Sequence, residues 1–163
     1  MTAMCETTDR LLKADGWDVP HSFAVITEAV WWVTMVDATL VRYHPDNYTA
    51  ALARYDAPAR KIIEDTFGGL RFVRNRMGYE ADQEAFIRPR LTPSGLADGR
   101  VAVWTWRAVR KPALATMPQR GQDWELSRFR AYRAELAGHS IEDTFGRAAS
   151  FLRSANGASV SHA

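Results

Sequence analysis

The sequence predicts a mainly α fold, a helical bundle of about five or six helices with a small inserted β-hairpin. Two long segments, residues 23–43 and 56–79, carry apolar side chains at helical spacing. Residues 100–109 alternate instead between two faces and are rich in valine and tryptophan, a pattern typical of a strand. With 163 residues the chain can bury a core, and we predict one helical domain over residues 1–154.

The first third of the chain predicts two helices. A short one is expected over residues 7–14, with a threonine as its N-terminal cap. Ser22 is predicted to cap the next, over residues 23–43, where apolar side chains cover nearly the whole circumference, as in a central, buried helix. Asp37 falls among those apolar side chains, so a carboxylate is expected in the core.

Prolines mark the boundaries of the next two helices. Pro45 disfavours helical geometry at the residue before it, which ends the long helix. Asp46 is predicted to cap a short helix that reaches Tyr55. Pro58 lies in the first turn of the segment 56–79, where its missing N–H is harmless.

The segment 56–79 carries a single apolar stripe with an arginine inside it. The stripe consists of Ile63, Phe67, Leu70, Arg74 and Met77. A guanidinium against apolar neighbours requires an acceptor, since an unpaired buried charge costs several kcal/mol, in the range of about 3–5. Gly68 and Gly69 each cost about 1 kcal/mol in a helix relative to alanine. Their presence indicates either the close approach of a neighbouring helix or a kink, and close approach is the favoured interpretation.

A hairpin and two further helices complete the prediction. Residues 86–91 are the expected antiparallel partner of the strand at 100–109. A helix over residues 122–137 is expected to end at Gly138. The last helix is expected to begin after Ser140 and to end near residue 154, followed by a disordered tail. Residues 63–68 recur as 141–146, Ile-Glu-Asp-Thr-Phe-Gly, which predicts similar packing demands for those two helices.

The net charge of +2 hides an uneven distribution. Residues 1–70 hold 6 Lys and Arg against 10 Asp and Glu, whereas residues 71–133 hold 13 against 6. A basic middle segment is compatible with a nucleic-acid partner. The simpler interpretation is attraction between two parts of one domain.

Several kinds of site and location are not predicted. The chain opens without a basic and apolar leader, and the apolar run at residues 29–35 is too short for a bilayer, so we expect a cytoplasmic protein without a membrane partner. A single cysteine, Cys5, excludes an internal disulfide. The four histidines lack metal-binding spacing, so no metal site and no cofactor is predicted.

Two polar residues stand out, one in each of the strongest helices. If those helices pack antiparallel, a buried pair of Arg74 with Asp37 is the simplest way to satisfy both charges. In one interpretation this pair is structural and holds the helices in register. In the other, Arg74 is a site residue.

The residues from Arg74 to Tyr79 support the second interpretation. The segment Arg-Asn-Arg-Met-Gly-Tyr resembles the Arg-polar-x-x-x-His signature of HEPN (higher eukaryotes and prokaryotes nucleotide-binding) domains, which are all-helical and include many metal-independent ribonucleases. The resemblance implies Arg74, Asn75 and Tyr79 as the catalytic positions, with Tyr79 where the family has histidine. A phenol of pKa near 10 is a poor general base at neutral pH, so the resemblance implies a domain whose nuclease activity is lost or altered.

The same resemblance implies partners. RNA or a nucleotide is the implied ligand, and a homodimer the implied assembly. Asp37, Arg71 and Arg76 are candidate binding residues around the motif. Trp104 and Trp106, interleaved with arginines on the predicted hairpin, are a candidate stacking platform for bases.

Two alternatives remain open from the residues alone. One is a non-catalytic interaction or oligomerising protein, in which the Arg74–Asp37 pair is structural and the segment 23–43 contributes an oligomer interface. The other is a small-molecule-binding bundle whose pocket is anchored by Arg74. The surroundings of Arg74 discriminate among these readings.

Overall fold

The computed structural model describes residues 1–12, 19–77, 86–93, 100–110 and 119–157. Six helices and two strands lie in these ranges, and the mainly α class with one small hairpin is confirmed. In chain order they are α1 (Thr2–Leu12), α2 (Val19–Tyr43), α3 (Pro45–Leu52), α4 (Ala57–Met77), β1 (Ile87–Pro93), β2 (Arg100–Trp106), α5 (Gln119–Glu135) and α6 (Ile141–Gly157).

The two N-terminal helices begin earlier than predicted. α1 begins at Thr2, and Met4 in its first turn is buried in the core. The Thr8 hydroxyl donates to the Met4 carbonyl at 2.8 Å from inside the helix, so Thr8 is not a cap. α2 begins at Val19, which makes Ser22 a buried helical residue rather than a cap. Burial against the bundle overrides the local capping preference in both cases.

α2 is enclosed on one side only, so the prediction of a helix buried all round is wrong. Val30, Val33 and Leu40 lie in the core, whereas Trp31 and Met35 are exposed. α1, α3, α4 and α6 pack against the buried side. The opposite side of α2 faces away from the bundle.

α4 is the helix that packs most extensively, mainly against α5. Its start is confirmed, because the Ala59 N–H donates to the Asp56 carboxylate at 2.8 Å, as in an N-cap. The predicted close approach at its glycines is confirmed as well. A Cβ on Gly68 would lie 2.9 Å from the Ala131 Cβ, and one on Gly69 would lie 3.0 Å from the Tyr132 Cα.

The hairpin pairs as predicted and is anchored by Trp106. β1 and β2 are antiparallel, with Ile87 opposite Trp106. The buried indole of Trp106 donates to the Thr144 hydroxyl of α6 at 3.1 Å, and its backbone N–H donates to the His139 carbonyl at 3.1 Å. The hairpin therefore packs on the junction of α5 and α6, as a two-stranded unit requires.

The C-terminal helices differ from the prediction at their ends. α5 begins at Gln119, and Gly138 after it has a φ of 85°, which confirms it as the terminating residue. α6 reaches Gly157, and Ala155 is buried, so the tail predicted from residue 155 begins too early. The rest of that predicted tail, residues 158–163, lies outside the described residues.

Candidate functional site: an arginine cluster between α2, α4 and α5

The Asp37 carboxylate of α2 lies in the core at 0% exposure. Arg71 of α4 forms an ion pair with its Oδ2. The Tyr48 hydroxyl of α3 donates to its Oδ1 at 2.8 Å. Each carboxylate oxygen therefore has a partner, and one buried acid joins three helices.

The predicted pairing of Arg74 with Asp37 is wrong, because Arg71 occupies that position. Arg74, about one turn further along α4, donates instead to the Thr34 hydroxyl at 3.4 Å, and its guanidinium lies 5.9 Å from the centroid of the Trp31 ring. A later residue of α4 therefore contacts an earlier residue of α2. The two helices are antiparallel, as assumed, but their register differs by one turn from the predicted one.

The pKa values of this group follow from burial. Burial raises the pKa of Asp37 above its ordinary 3.8, although the positive charge of Arg71 and the hydrogen bond from Tyr48 favour the charged form. Burial also raises the pKa of Tyr48, and the negative charge of Asp37 adds to this effect. Tyr48 therefore remains a neutral donor at physiological pH.

The raised pKa of Asp37 predicts a pH dependence of stability. A group whose pKa is higher in the folded state stabilises that state below its unfolded pKa, here 3.8, and this contribution is lost as pH rises through the folded pKa. The free energy of unfolding of the wild type, minus that of Asp37→Asn, should therefore be larger near pH 3 than near pH 7. Urea unfolding of both proteins measures this difference. A smaller difference in acid would mean that Arg71 outweighs burial.

A cleft of about 290 Å³ opens between α4 and α5 beside Arg71. Its lining combines charges of both signs with one aromatic ring. The lining residues are Glu64, Asp65, Gly68, Arg71, Trp124, Ser127, Arg128 and Ala131. Trp124 is exposed, with the guanidinium of Arg120 5.2 Å and that of Arg128 5.9 Å from its ring centroid, within cation–π range.

Arg128 lies in an unfavourable electrostatic environment. Burial lowers its pKa, the charge of Glu125 opposes this shift, and the positive charges of Arg71 and Arg74 add to it. Among the described residues no carboxylate lies within ion-pair distance of Arg128 or Arg74. We call Arg71, Arg74 and Arg128 the arginine cluster. One buried acid, Asp37, partners only the first of them.

The other residues of the predicted motif are more dispersed. Arg76 is held by the buried Glu125 of α5, with Nε 3.2 Å from Oε1, on another side of α4. Asn75 is half-buried and follows Arg71 by one turn. Tyr79 lies outside the described residues, so the position that replaces the family histidine stays a prediction.

The predicted stacking platform on the hairpin is contradicted by burial. Trp106 is part of the core and Trp104 is buried too, so neither offers a ring face to a base. The cause is that the side of the hairpin that carries both tryptophans packs against the bundle, which covers both rings. The indole N–H of Trp104 is buried without an acceptor.

Sequence reasoning did not single out Arg128, Trp124 or Tyr48. The four-residue spacing of Arg120, Trp124 and Arg128 on one helix was the available signal for an aromatic ring flanked by cations. No local pattern links Tyr48 to Asp37, since the two lie on different helices.

A metal site and a second cleft are the other candidates among the described residues. No group of three or more His, Cys, Asp or Glu there is placed to hold a metal ion. A second cleft of about 300 Å³ is lined by Tyr55, Phe151 and Arg147 among other residues. Arg74 lines neither this cleft nor the one beside Trp124, so neither matches the predicted pocket anchored by Arg74.

One helix in the described part of the chain, over Ser22–Tyr43, is long and apolar enough to cross a membrane by length and composition alone. Of its apolar 18-residue window, 44% is buried inside the protein.

No protein-family model matches the chain, and no significant match is found among curated proteins or solved structures.

Proposed function

We propose that the chain binds a phosphate-bearing ligand, a nucleotide free or within single-stranded RNA, at the arginine cluster. The observation that carries this proposal is Arg128, a partly desolvated guanidinium close to the positive charges of Arg71 and Arg74, to which no carboxylate of the described residues comes within ion-pair distance. A phosphate placed among these groups would offset their mutual repulsion. Planar guanidinium groups also match phosphate oxygens in two-point hydrogen bonds.

The cleft supplies a second element that a nucleotide requires. Trp124 is exposed beside Arg128, and base–aromatic stacking contributes about 1–3 kcal/mol per base. Glu64 lies seven residues before Arg71, about 10 Å along α4, and would repel a phosphate at that end. The phosphate is therefore assigned to the end of the cleft at Arg71 and Arg128, and the base to Trp124. Arg74 lies outside the cleft lining and contributes through its positive charge.

The proposal concerns binding rather than catalysis. The HEPN-type signature supports the ligand class through Arg74 and Asn75, while the tyrosine at position 79 supports a protein whose nuclease activity is lost or altered. No general base is assigned among the described residues of the cluster.

Substitution of Arg128 or Arg74 should weaken binding without weakening the fold. For Arg128→Ala we expect about a tenfold or greater loss of affinity, since a hydrogen bond to a charged group contributes about 1.5–3 kcal/mol. For Arg74→Ala, which removes a charge outside the cleft lining, we expect a smaller loss. The loss should shrink at high salt, because screening weakens each phosphate contact. Fluorescence anisotropy of a short labelled single-stranded RNA at two salt concentrations measures it, with a thermal melt of each protein.

Arg130→Ala is the matched control, because Arg130 is exposed on another side of α5. It should change affinity by less than twofold. Equal losses for Arg130→Ala and Arg128→Ala would mean a diffuse basic surface, and a wild type that binds no RNA and no nucleotide would contradict the proposal. Competition by a nucleoside monophosphate, compared with inorganic phosphate, separates a nucleotide site from a simple anion site.

A protein-interaction role has independent support. The Arg74–Asp37 pair predicted for this role does not form, but one side of α2 exposes apolar side chains that a protein partner would cover. That side lies outside the cleft beside Trp124 and meets the arginine cluster where the Arg74 guanidinium lies 5.9 Å from the Trp31 ring centroid.

A further inference from the structure

The side of α2 that faces away from the bundle is apolar. Trp31 is 55% exposed, Trp32 38% and Met35 41%. The exposed residues Ala38 and Thr39 lie on the same side, within about 60° of Met35 around the helix axis. The two indoles alone leave on the order of 200 Å² of aromatic surface in water, and contiguous apolar patches of a few hundred Å² mark interaction sites. We call this side of α2 the tryptophan face.

Two opposite charges flank the tryptophan face at equal distances from Met35. Glu28 lies seven residues before Met35 and Arg42 seven residues after it. Seven residues make nearly two helical turns, so both charges share the face with Met35, each about 10 Å from it along the axis. If a second α2 lies antiparallel on this face and is centred on Met35, Glu28 of each chain lies opposite Arg42 of the other.

The sizes of the side chains fit the same arrangement. The two tryptophans lie three and four residues before Met35, and Ala38 and Thr39 lie three and four residues after it. An antiparallel pair therefore sets the large rings of one chain against the small side chains of the other. Helices pack closely where large and small side chains interdigitate in this way.

The two charged groups retain capacity for such contacts. Glu28 already forms an ion pair with Arg10 at 2.6 Å and accepts a hydrogen bond from Thr7 at 3.2 Å, both at Oε1, and the Trp32 side chain interacts with it too. A carboxylate has about four acceptor sites in all, so Glu28 can also accept from an Arg42 of a second chain. The Arg42 guanidinium lies 5.3 Å from the Tyr43 ring centroid, and no ion pair to Arg42 is present within the described ranges.

A second copy fits this face better than a membrane does. Since 44% of the apolar window of α2 is buried against the protein, inserting the helix would require that core to open. The carboxylate of Glu28 also disfavours contact with an anionic bilayer, which attracts Lys and Arg instead. A self-complementary face, in contrast, is what two-fold symmetry requires.

We propose that the tryptophan face is a self-association surface. Two copies of the chain pair through antiparallel α2 helices centred on Met35, with a Glu28–Arg42 ion pair at each end. This assembly requires no ligand at the arginine cluster, although Arg74 of that cluster lies over the Trp31 ring.

A charge exchange tests the register of this pairing. Arg42→Glu places two carboxylates opposite each other in its own dimer, and Glu28→Arg places two guanidinium groups opposite each other. Each variant alone should therefore raise the dimer dissociation constant at least tenfold. A mixture of the two variants restores two Glu–Arg pairs per dimer and should return that constant to within a few-fold of the wild type. Sedimentation equilibrium of the full chain measures this, and native mass spectrometry separates the mixed dimer from the others.

Two further variants distinguish specific pairing through the tryptophan face from non-specific hydrophobic association. Trp31→Ala should weaken association, whereas Ile62→Ala, which removes an exposed apolar side chain of α4 in the cleft beside Phe151, should not. Thermal melts at low protein concentration verify that each variant is folded. A wild type that stays monomeric at every concentration, or a mixture that does not pair, overturns the proposal. So does a monomer that cosediments with phosphatidylcholine–phosphatidylserine vesicles, since the membrane would then cover the face.

Discussion

Replacing Arg71 with methionine is expected to lower the free energy of unfolding by about 3 kcal/mol near pH 7. The substitution leaves the fully buried Asp37 carboxylate with the Tyr48 hydroxyl as its remaining direct partner. Breaking a buried ion pair from one side costs roughly 3–5 kcal/mol. The loss is limited to about 4 kcal/mol, because Asp37 can bind a proton instead of remaining charged. Keeping a carboxyl group of ordinary pKa 3.8 protonated costs about 1.36 kcal/mol for each pH unit above 3.8, and pH 7 lies about 3 units above it.

Arg74→Met is the matched control for this prediction. Arg74 makes one long hydrogen bond, 3.4 Å to Thr34, so its loss should cost less than about 1 kcal/mol. Urea unfolding of the two variants and of the wild type gives both values. The Arg71→Met penalty should shrink in acid, where Asp37 is neutral in both states. Equal penalties for the two variants would mean that both arginines hold Asp37.

The double variant Arg71→Met/Asp37→Leu isolates the cause of the penalty. When both charges are replaced by apolar side chains of similar volume, a buried pair often contributes little net stability. Most of the loss of the single Arg71→Met variant should therefore be recovered. Asp37→Asn alone should cost less than Arg71→Met, because Arg71 retains 32% exposure and can be hydrated when its partner is removed.

Replacing Gly69 with alanine is expected to lower the free energy of unfolding by about 1 kcal/mol. The new Cβ would lie 2.7 Å from the Leu136 Cδ1 and 3.0 Å from the Tyr132 Cα, and the second contact involves backbone that moves only if α5 shifts away from α4. Overpacking of this kind costs typically about 1–3 kcal/mol. It outweighs the gain of about 1 kcal/mol in helix propensity.

Gly146→Ala in α6 is the control, since it makes the same chemical change in a helix interior. Nothing lies within 4 Å of a Cβ on Gly146, so this substitution should stabilise the protein by about 0.5–1 kcal/mol. Chemical denaturation of both variants tests whether the two substitutions change the free energy of unfolding in opposite directions. If Gly69→Ala were also stabilising, the close contact between α4 and α5 would be absent in solution.

Local patterns sufficed for much of the fold. The spacing of apolar residues located the two long helices, Pro45 and Gly138 marked boundaries, and alternation located the hairpin. These signals succeed because helical and strand periodicity, together with proline and glycine backbone limits, act within a few residues. Helix ends were less accurate, as at α1 and α6, because Met4 and Ala155 are helical where burial in the core extends the helix.

The candidate site was only partly predictable for the opposite reason. Asp37 and the arginines of α4 were recognisable as charges on apolar faces, yet their pairing depends on the register between two helices. A shift of one turn selects Arg71 rather than Arg74. Trp104 and Trp106 presented the same alternation whether they faced a ligand or the core, and burial alone distinguishes the two.

The repeated segment Ile-Glu-Asp-Thr-Phe-Gly shows most clearly what local sequence determines and what tertiary packing decides. In both copies the sequence by itself determined a helix with similar packing demands, and the Ile, Thr and Phe side chains of both copies are buried. The tertiary structure alone decided what surrounds the glycine. Gly68 lies against Ala131 of α5, whereas Gly146 faces open space. Helix formation follows from interactions within a few residues, while the space around a side chain depends on a partner helix that is distant in the sequence.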